Sequence, residues 1–169
     1  MGKLTSHEKK SGSNSVRDFF EAIKNGDAGR VRELLKKNPK LATSKDNQGV
    51  SALMLALYYQ HPDLVSDILP YLSELSIFEA SALGFRDAVA RIIKNNPKLV
   101  NDVSSDGFGP LGLAVFFGHY HTTEYLIELG ADVNRPSSNK MRVRPIHSGA
   151  AIRDKTLAVR TVERLINAG

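Results

Sequence analysis

The residues that invite a chemical reading are few, and each lacks partners. His119 and His121 flank Tyr120, a spacing that raises the question of a metal pair. On a helix, residues two apart point to different faces, and no third ligand stands near them. The chain has no cysteine, which excludes thiolate metal sites and disulfides. The stretch DGFGPLG, from Asp106 to Gly112, is glycine-rich like a phosphate-cradling loop. No strand signal precedes it, and it fits neither the Walker nor the dinucleotide spacing. Asp46 and Asp106 lie in turn-forming surroundings, where a carboxylate serves better as a turn acceptor than as a general acid. There is no G-x-S-x-G elbow. Without a constellation of nucleophile, base and orienting group, the expectation is a protein that is not an enzyme. No catalytic, cofactor-binding or metal residues are assigned.

What positions these residues is a duplication. At a constant offset of 58, Phe20/Phe78, Glu21/Glu79, Ala22/Ala80, Gly26/Gly84, Val31/Val89 and Pro39/Pro97 are identical. Without a gap the register continues through Gly49/Gly107, Leu53/Leu111, Leu55/Leu113, Ala56/Ala114 and His61/His119. Each copy reads as two short helix pairs. In the second copy, Leu111, Leu113, Ala114 and Val115 form a helix that Gly118 breaks. Tyr125, Leu126 and Leu129 then share one face of a second helix, which Gly130 stops. Such helices are too short to stand alone in water and need stacked neighbours.

Five pairs open near residues 17, 51, 75, 110 and 145, with inter-helix turns near Gly26, Gln60, Gly84, Gly118 and Arg153. The step from the second pair to the third is short, leaving no room for a projecting hairpin between Leu69 and Ile77. The last pair reads as carrying about four extra residues between its helices, in IRDKTLAV.

DGFGPLGLAVFFGHYHTTEYLIELGADVN, Asp106 to Asn134, resembles an ankyrin repeat. RPIHSGA (Arg144 to Ala150) is similar to the opening of the next repeat, and DNQGVSALMLA (Asp46 to Ala56) to a degenerate earlier one. The resemblance covers roughly residues 17–169. It implies an all-α ankyrin-repeat solenoid of about five helix-turn-helix pairs with short hairpin-like loops. The domain is drawn over residues 16–169, behind a polar flexible tail at residues 1–15. It also implies structural histidines: His61 and His119 at Gly-His turns, and His147 bonding backbone between repeats.

In this family partner contact uses hairpin tips and the inner face of each first helix. The resemblance therefore points to Asn47, Gln48 and Val50, to Ser105, Asp106 and Phe108, and to a longer tip through Asn139, Lys140, Met141, Arg142 and Val143. On the inner face it points to Tyr58, Tyr59, Leu83, Phe116 and Phe117, leaving open which aromatic of each pair is exposed. Exposed aromatics anchor interfaces because they bury much area for little rotamer entropy.

The implied function is a non-catalytic protein–protein interaction module, its partner another protein. The alternative is a polyanion binder for nucleic acid or acidic lipid. The net charge of +5 is local: Arg135 to Arg164 sums to +6 and the remainder to −1. That segment lacks the interleaved aromatics of single-strand binders, so nucleic acid is disfavoured. No apolar run approaches the roughly 20 residues of a membrane span, and the N-terminus has no signal-peptide core. A cytoplasmic protein is expected. The chain stops at Gly169, where the family continues, and its last helix carries Val159, Val162, Leu165 and Ile166. Truncation from a longer protein, or a monomer with weak self-association through that end, is the expectation.

Overall fold

The computed structural model describes the backbone from Ser6 to Gly169 and the side chains from Ser15 onward. The chain divides into two compact units, Met1–Glu74 and Leu75–Gly169. The boundary falls just ahead of the second copy of the duplication.

In the first unit α1 (Ser6–Lys24) pairs with α2 (Ala28–Lys37), and α3 (Ala52–Tyr58) with α4 (Pro62–Ile68). The first helices pack on each other, as do the second helices, giving two layers. Phe19, Ile23, Val31, Leu35, Leu53, Leu64 and Ile68 are fully buried between them. The second unit repeats the plan with one more pair: α5 (Ile77–Ala82) with α6 (Arg86–Asn95), α7 (Pro110–Phe116) with α8 (Tyr120–Glu128), and α9 (Pro145–Ala150) with α10 (Lys155–Ile166). Here α5, α7 and α9 form one layer and α6, α8 and α10 the other. Their core holds Ile77, Ala80, Val89, Leu111, Ala114, Val115, Leu126 and Leu165. Helices of six to twelve residues do not persist in isolation, so this burial is what makes them helical.

Local chemistry sets where they start. Asp27 caps α2 by accepting from Arg30 N at 2.9 Å, and Ser51 caps α3 through Met54 N at 3.3 Å. Ser76 and Glu79 form a reciprocal capping box on α5, with Ser76 N donating to Glu79 Oε2 at 2.8 Å and Glu79 N to Ser76 Oγ at 3.2 Å. Pro110 and Pro145 occupy first turns, where no amide is missed.

The duplication is reproduced in geometry. Asn38 and Asn96 end α2 and α6 with φ, ψ of −144°, 88° and −145°, 90°, and a five-residue 3-10 turn follows each, at Pro39–Thr43 and Pro97–Asn101. The inter-helix turns carry left-handed residues at Gly26, Gln60, Gly84 and Gly118, with φ of 68°, 58°, 73° and 76°. Gln60 stands where the second copy has Gly118, so it bears a strain glycine avoids. Gln60→Gly is expected to raise stability by about 0.5–1 kcal/mol, net of the added freedom of the unfolded chain. A lower denaturant midpoint for the variant would refute this.

Two expectations need adjustment, and a third is met. Helical backbone begins at Ser6, so Ser6 to Ser15 of the stretch drawn as a tail belongs to α1, while residues 1–5 lie outside the described residues. That stretch is polar but contains no proline, and one glycine costs a helix only about 1 kcal/mol. The extra residues of the last pair lengthen its turn by only one, to four residues against three between α7 and α8. α10 starts at Lys155, on Asp154, whose carboxylate accepts from Leu157 N at 3.0 Å; the insertion lengthens the helix to 12 residues against 9 in α8. Finally, the short connector after α4 is a 3-10 turn, Leu69–Tyr71, followed directly by the cap of α5, as the missing hairpin requires.

Candidate functional site

The hairpin tips are built by short polar side chains. In the first unit Asp46 N donates to Val50 O at 2.9 Å, and the Asp46 carboxylate accepts from Gln48 N at 2.8 Å and Val50 N at 2.9 Å. Lys45 and Ser51 form an isolated antiparallel bridge behind it. Asn47 and Gln48 are exposed at the tip. Val50 is not: only 7% exposed, it is the return limb of the hairpin and its side chain belongs to the core. Its assignment as a contact residue is corrected.

In the second unit two hairpins lie side by side. In the first, Ser104 N donates to Phe108 O at 3.0 Å, and Ser104 Oγ both accepts from Phe108 N at 3.0 Å and bonds the Asp106 carboxylate. In the second, Ser137 N donates to Val143 O at 2.8 Å and Ser137 Oγ accepts from Val143 N at 2.8 Å. Asn139 Oδ1 accepts from Met141 N at 3.1 Å, fixing the tip. The hairpins are joined by Ser138 N to Gly107 O at 2.8 Å and Asn139 Nδ2 to Asp106 O at 2.9 Å. A Cβ on Gly107 would sit 2.7 Å from Asn139 N, so the left-handed glycine also permits this approach.

The joined edge gathers Ser105, Asp106, Phe108, Lys140, Met141 and Arg142. Ser105, Lys140 and Arg142 are exposed, Phe108 and Val143 half-buried, and Met141 is the most exposed large hydrophobic side chain described, at 66%. The cleft between the hairpins holds about 30 Å³, well short of the few hundred Å³ of a small-molecule site.

The aromatic positions divide differently in the two units. Tyr59 is 46% exposed and stacks against His61, with Tyr58 half-buried. In the second unit it is Phe116 that is exposed, at 58%, with Phe117 half-buried and edge-on to it at 5.0 Å. Leu83 is half-buried.

The histidines close turns. His119 Nε2 donates to Ala82 O at 2.9 Å, and His61 Nε2 lies 3.4 Å from Lys24 O, the same position one copy earlier. Burial holds His119 below the usual imidazole value of 6.5. Its neutral form is therefore favoured on folding. The resulting stability is full well above pH 6.5 and declines as pH falls through 6.5 toward the lower folded value. Denaturant midpoints at about pH 7.5 and about pH 5.5 should differ less in His119→Gln than in the parent protein. An unchanged difference would refute the assignment. His147 departs from the inter-repeat role the resemblance implied. Its Nδ1 accepts from Arg144 N at 3.2 Å, capping its own helix.

Asparagines supply further inter-repeat bonds. Asn101 Nδ2 donates to Gly130 O at 3.0 Å while its Oδ1 accepts from Asp132 N at 2.8 Å, and Asn134 Nδ2 donates to Gly169 O at 2.8 Å. Sequence reading missed Asn101, as it missed Ser137 and Ser138. Asn134 stood in plain view, as the last letter of GADVN.

Residues 106–138, which run from one hairpin tip through α7 and α8 into the next hairpin, match the family model for the ankyrin repeat. The chain carries an ankyrin repeat over these residues. The helix pairs on either side of the matched residues keep the same layered packing, so the fold class is all-α of the ankyrin type. No curated protein matches the chain. Ankyrin repeats generally mediate protein–protein contact. No helix among the described residues is long and apolar enough to cross a membrane.

Proposed function

We propose that this protein is a non-catalytic module that binds another protein through the joined hairpin edge of its second unit, with Phe116 as a further anchor. The observation that carries the reading is the exposure of Met141 at the tip of a rigidly bonded hairpin. A flexible thioether held in water on an ordered support suits an adaptable apolar contact. Phe116 lies at the other end of α7, in the helix layer that this family uses for partners, and is 58% exposed. In the first unit Asn47, Gln48 and Tyr59 offer the corresponding positions.

The test is site-specific photocrosslinking in the native cell extract, with the crosslinker at Met141, at Phe116 or at Lys94, which is exposed on α6 in the other helix layer. A discrete protein adduct is expected from Met141 and Phe116 and none from Lys94. Adducts from Lys94 alone would overturn the proposal.

A further inference from the structure

The charge on the hairpin edge has no ion-pair partner among the described residues. In the first unit four surface cations are paired, Lys24 with Glu21 at 3.0 Å, Arg32 with Asp67 at 3.1 Å, Lys37 with Glu33 at 2.6 Å, and Arg30 with Asp18 and Glu33, while Arg17, Lys36, Lys40 and Lys45 are scattered singly without an ion pair among the described residues. In the last pair of the second unit, Arg164 approaches Glu124 at 4.0 Å and Arg160 lies over the Tyr120 ring at 3.8 Å. Lys140, Arg142 and Arg144, consecutive outward positions of one hairpin, have no carboxylate within ion-pair distance among the described residues. All three are exposed, and Met141 stands between the first two.

The backbone adds an independent observation. Arg142 has φ of +47°, a left-handed conformation that glycine or asparagine adopts at lower cost. A long cationic side chain is thus held where local conformation disfavours it, and function is the reading such an outlier invites. The patch is also bounded. Asp106, on the adjoining tip, is tied to it through the Asn139 bond at 2.9 Å, and Asp132 precedes the hairpin. A long, continuous polyanion meets carboxylates on that side; a short acidic segment does not have to.

Resting on the reading of this edge as the protein-binding surface, we propose that its partner is a short peptide segment with Asp or Glu on both sides of an aliphatic residue. The aliphatic side chain packs on Met141, while the flanking carboxylates pair with Lys140, Arg142 and Arg144. Arg142 offers a fork suited to a bidentate carboxylate, and the lysine a rotatable point charge.

The experiment is fluorescence anisotropy of the full chain with a labelled peptide of core Glu-Asp-Leu-Asp-Glu. Its neutral counterpart Gln-Asn-Leu-Asn-Gln, a labelled oligothymidylate and phosphatidylserine vesicles serve as comparisons. The acidic peptide should bind at least about tenfold more tightly than the neutral one near 0.05 M salt and lose most of that advantage by about 0.5 M, where the Debye length is only a few ångströms. Arg142→Gly, which suits the backbone conformation, and Lys140→Ser should each weaken the acidic peptide several-fold, and the pair together more. Met141→Ser should weaken both peptides alike.

Equal binding of the two peptides, sensitive to Met141→Ser, would overturn the acidic preference and leave the hairpin surface standing. No binding of either peptide would overturn the proposal, while the crosslinking from Met141 judges the surface itself. Oligothymidylate or vesicle binding as tight as that of the acidic peptide would also overturn it, in favour of general polyanion attraction.

Discussion

Gly84→Ala is expected to destabilise the protein by about 2–4 kcal/mol, more than a glycine-to-alanine change usually costs. Two independent penalties meet at this turn. The residue has φ of +73°, where a Cβ costs about 1–2 kcal/mol. The same Cβ would sit 2.5 Å from His119 Nδ1 and 2.6 Å from its Cγ. Cγ is the root of the ring, so no rotation of a flexible end relieves the contact. The imidazole must leave, which breaks its 2.9 Å bond to Ala82 O and costs roughly another 0.5–1.5 kcal/mol. The control is Gly84→Ala combined with His119→Ala: it removes the clash and keeps the strain, so the two changes should be strongly non-additive. Gly26→Ala repeats the design one copy earlier, with 2.7 Å to His61 Cε1 and a longer bond of 3.4 Å to Lys24 O. It should cost less. Additive effects, or a Gly84→Ala variant within about 0.5 kcal/mol of the parent, would mean the ring does not occupy this place.

That turn also shows what was legible in the sequence. Gly26, Gly84, His61 and His119 repeat at a fixed offset, so the pairing of a glycine turn with a histidine was visible as a pattern. What the histidine bonds was not, because its partner is the backbone of the preceding pair, and backbone carries no letter. The helix pairs, their turns and the missing hairpin were readable from periodicity and from glycine and proline placement. The start of α1 was not, since SHEKKSGSNS neither favours nor forbids a helix. For the candidate site, Met141, Lys140 and Arg142 could be placed on a tip because the loop before Arg144 is long. Val50 was misplaced because hairpin position alone does not say which limb turns its side chain inward. The joining of the two tips through Asn139 and Gly107 was out of reach of any local pattern, depending on contacts about thirty residues apart. The buried hydroxyls are a further case. Ser81 and Thr123 occupy the places of Ile23 and Val65 in the first copy, and their oxygens have no hydrogen-bond partner among the described residues. Duplication fixed the position without fixing the chemistry.

Leu111→Ala is expected to cost about 2–5 kcal/mol, the range for truncating a leucine in a well-packed core. Leu111 is 4% exposed and belongs to the cluster of Ile77, Ala80, Val89 and Leu126, contributed by three other helices. Both layers of the second unit thus meet at this side chain, and surroundings held on several sides collapse poorly around a void. The next residue provides the opposite result from the same helix. Gly112 lies inside α7, and a Cβ built there has nothing within 4 Å. Gly112→Ala should therefore add stability, up to the ~1 kcal/mol that separates glycine from alanine in a helix interior. Two adjacent changes to alanine are thereby expected to move the denaturant midpoint in opposite directions. A shift of α7 by one residue would carry Leu111 toward solvent and Gly112 into the core, exchanging the two signs. Loss at Gly112 with tolerance at Leu111 would thus disprove the register on which both hairpins and Phe116 are placed.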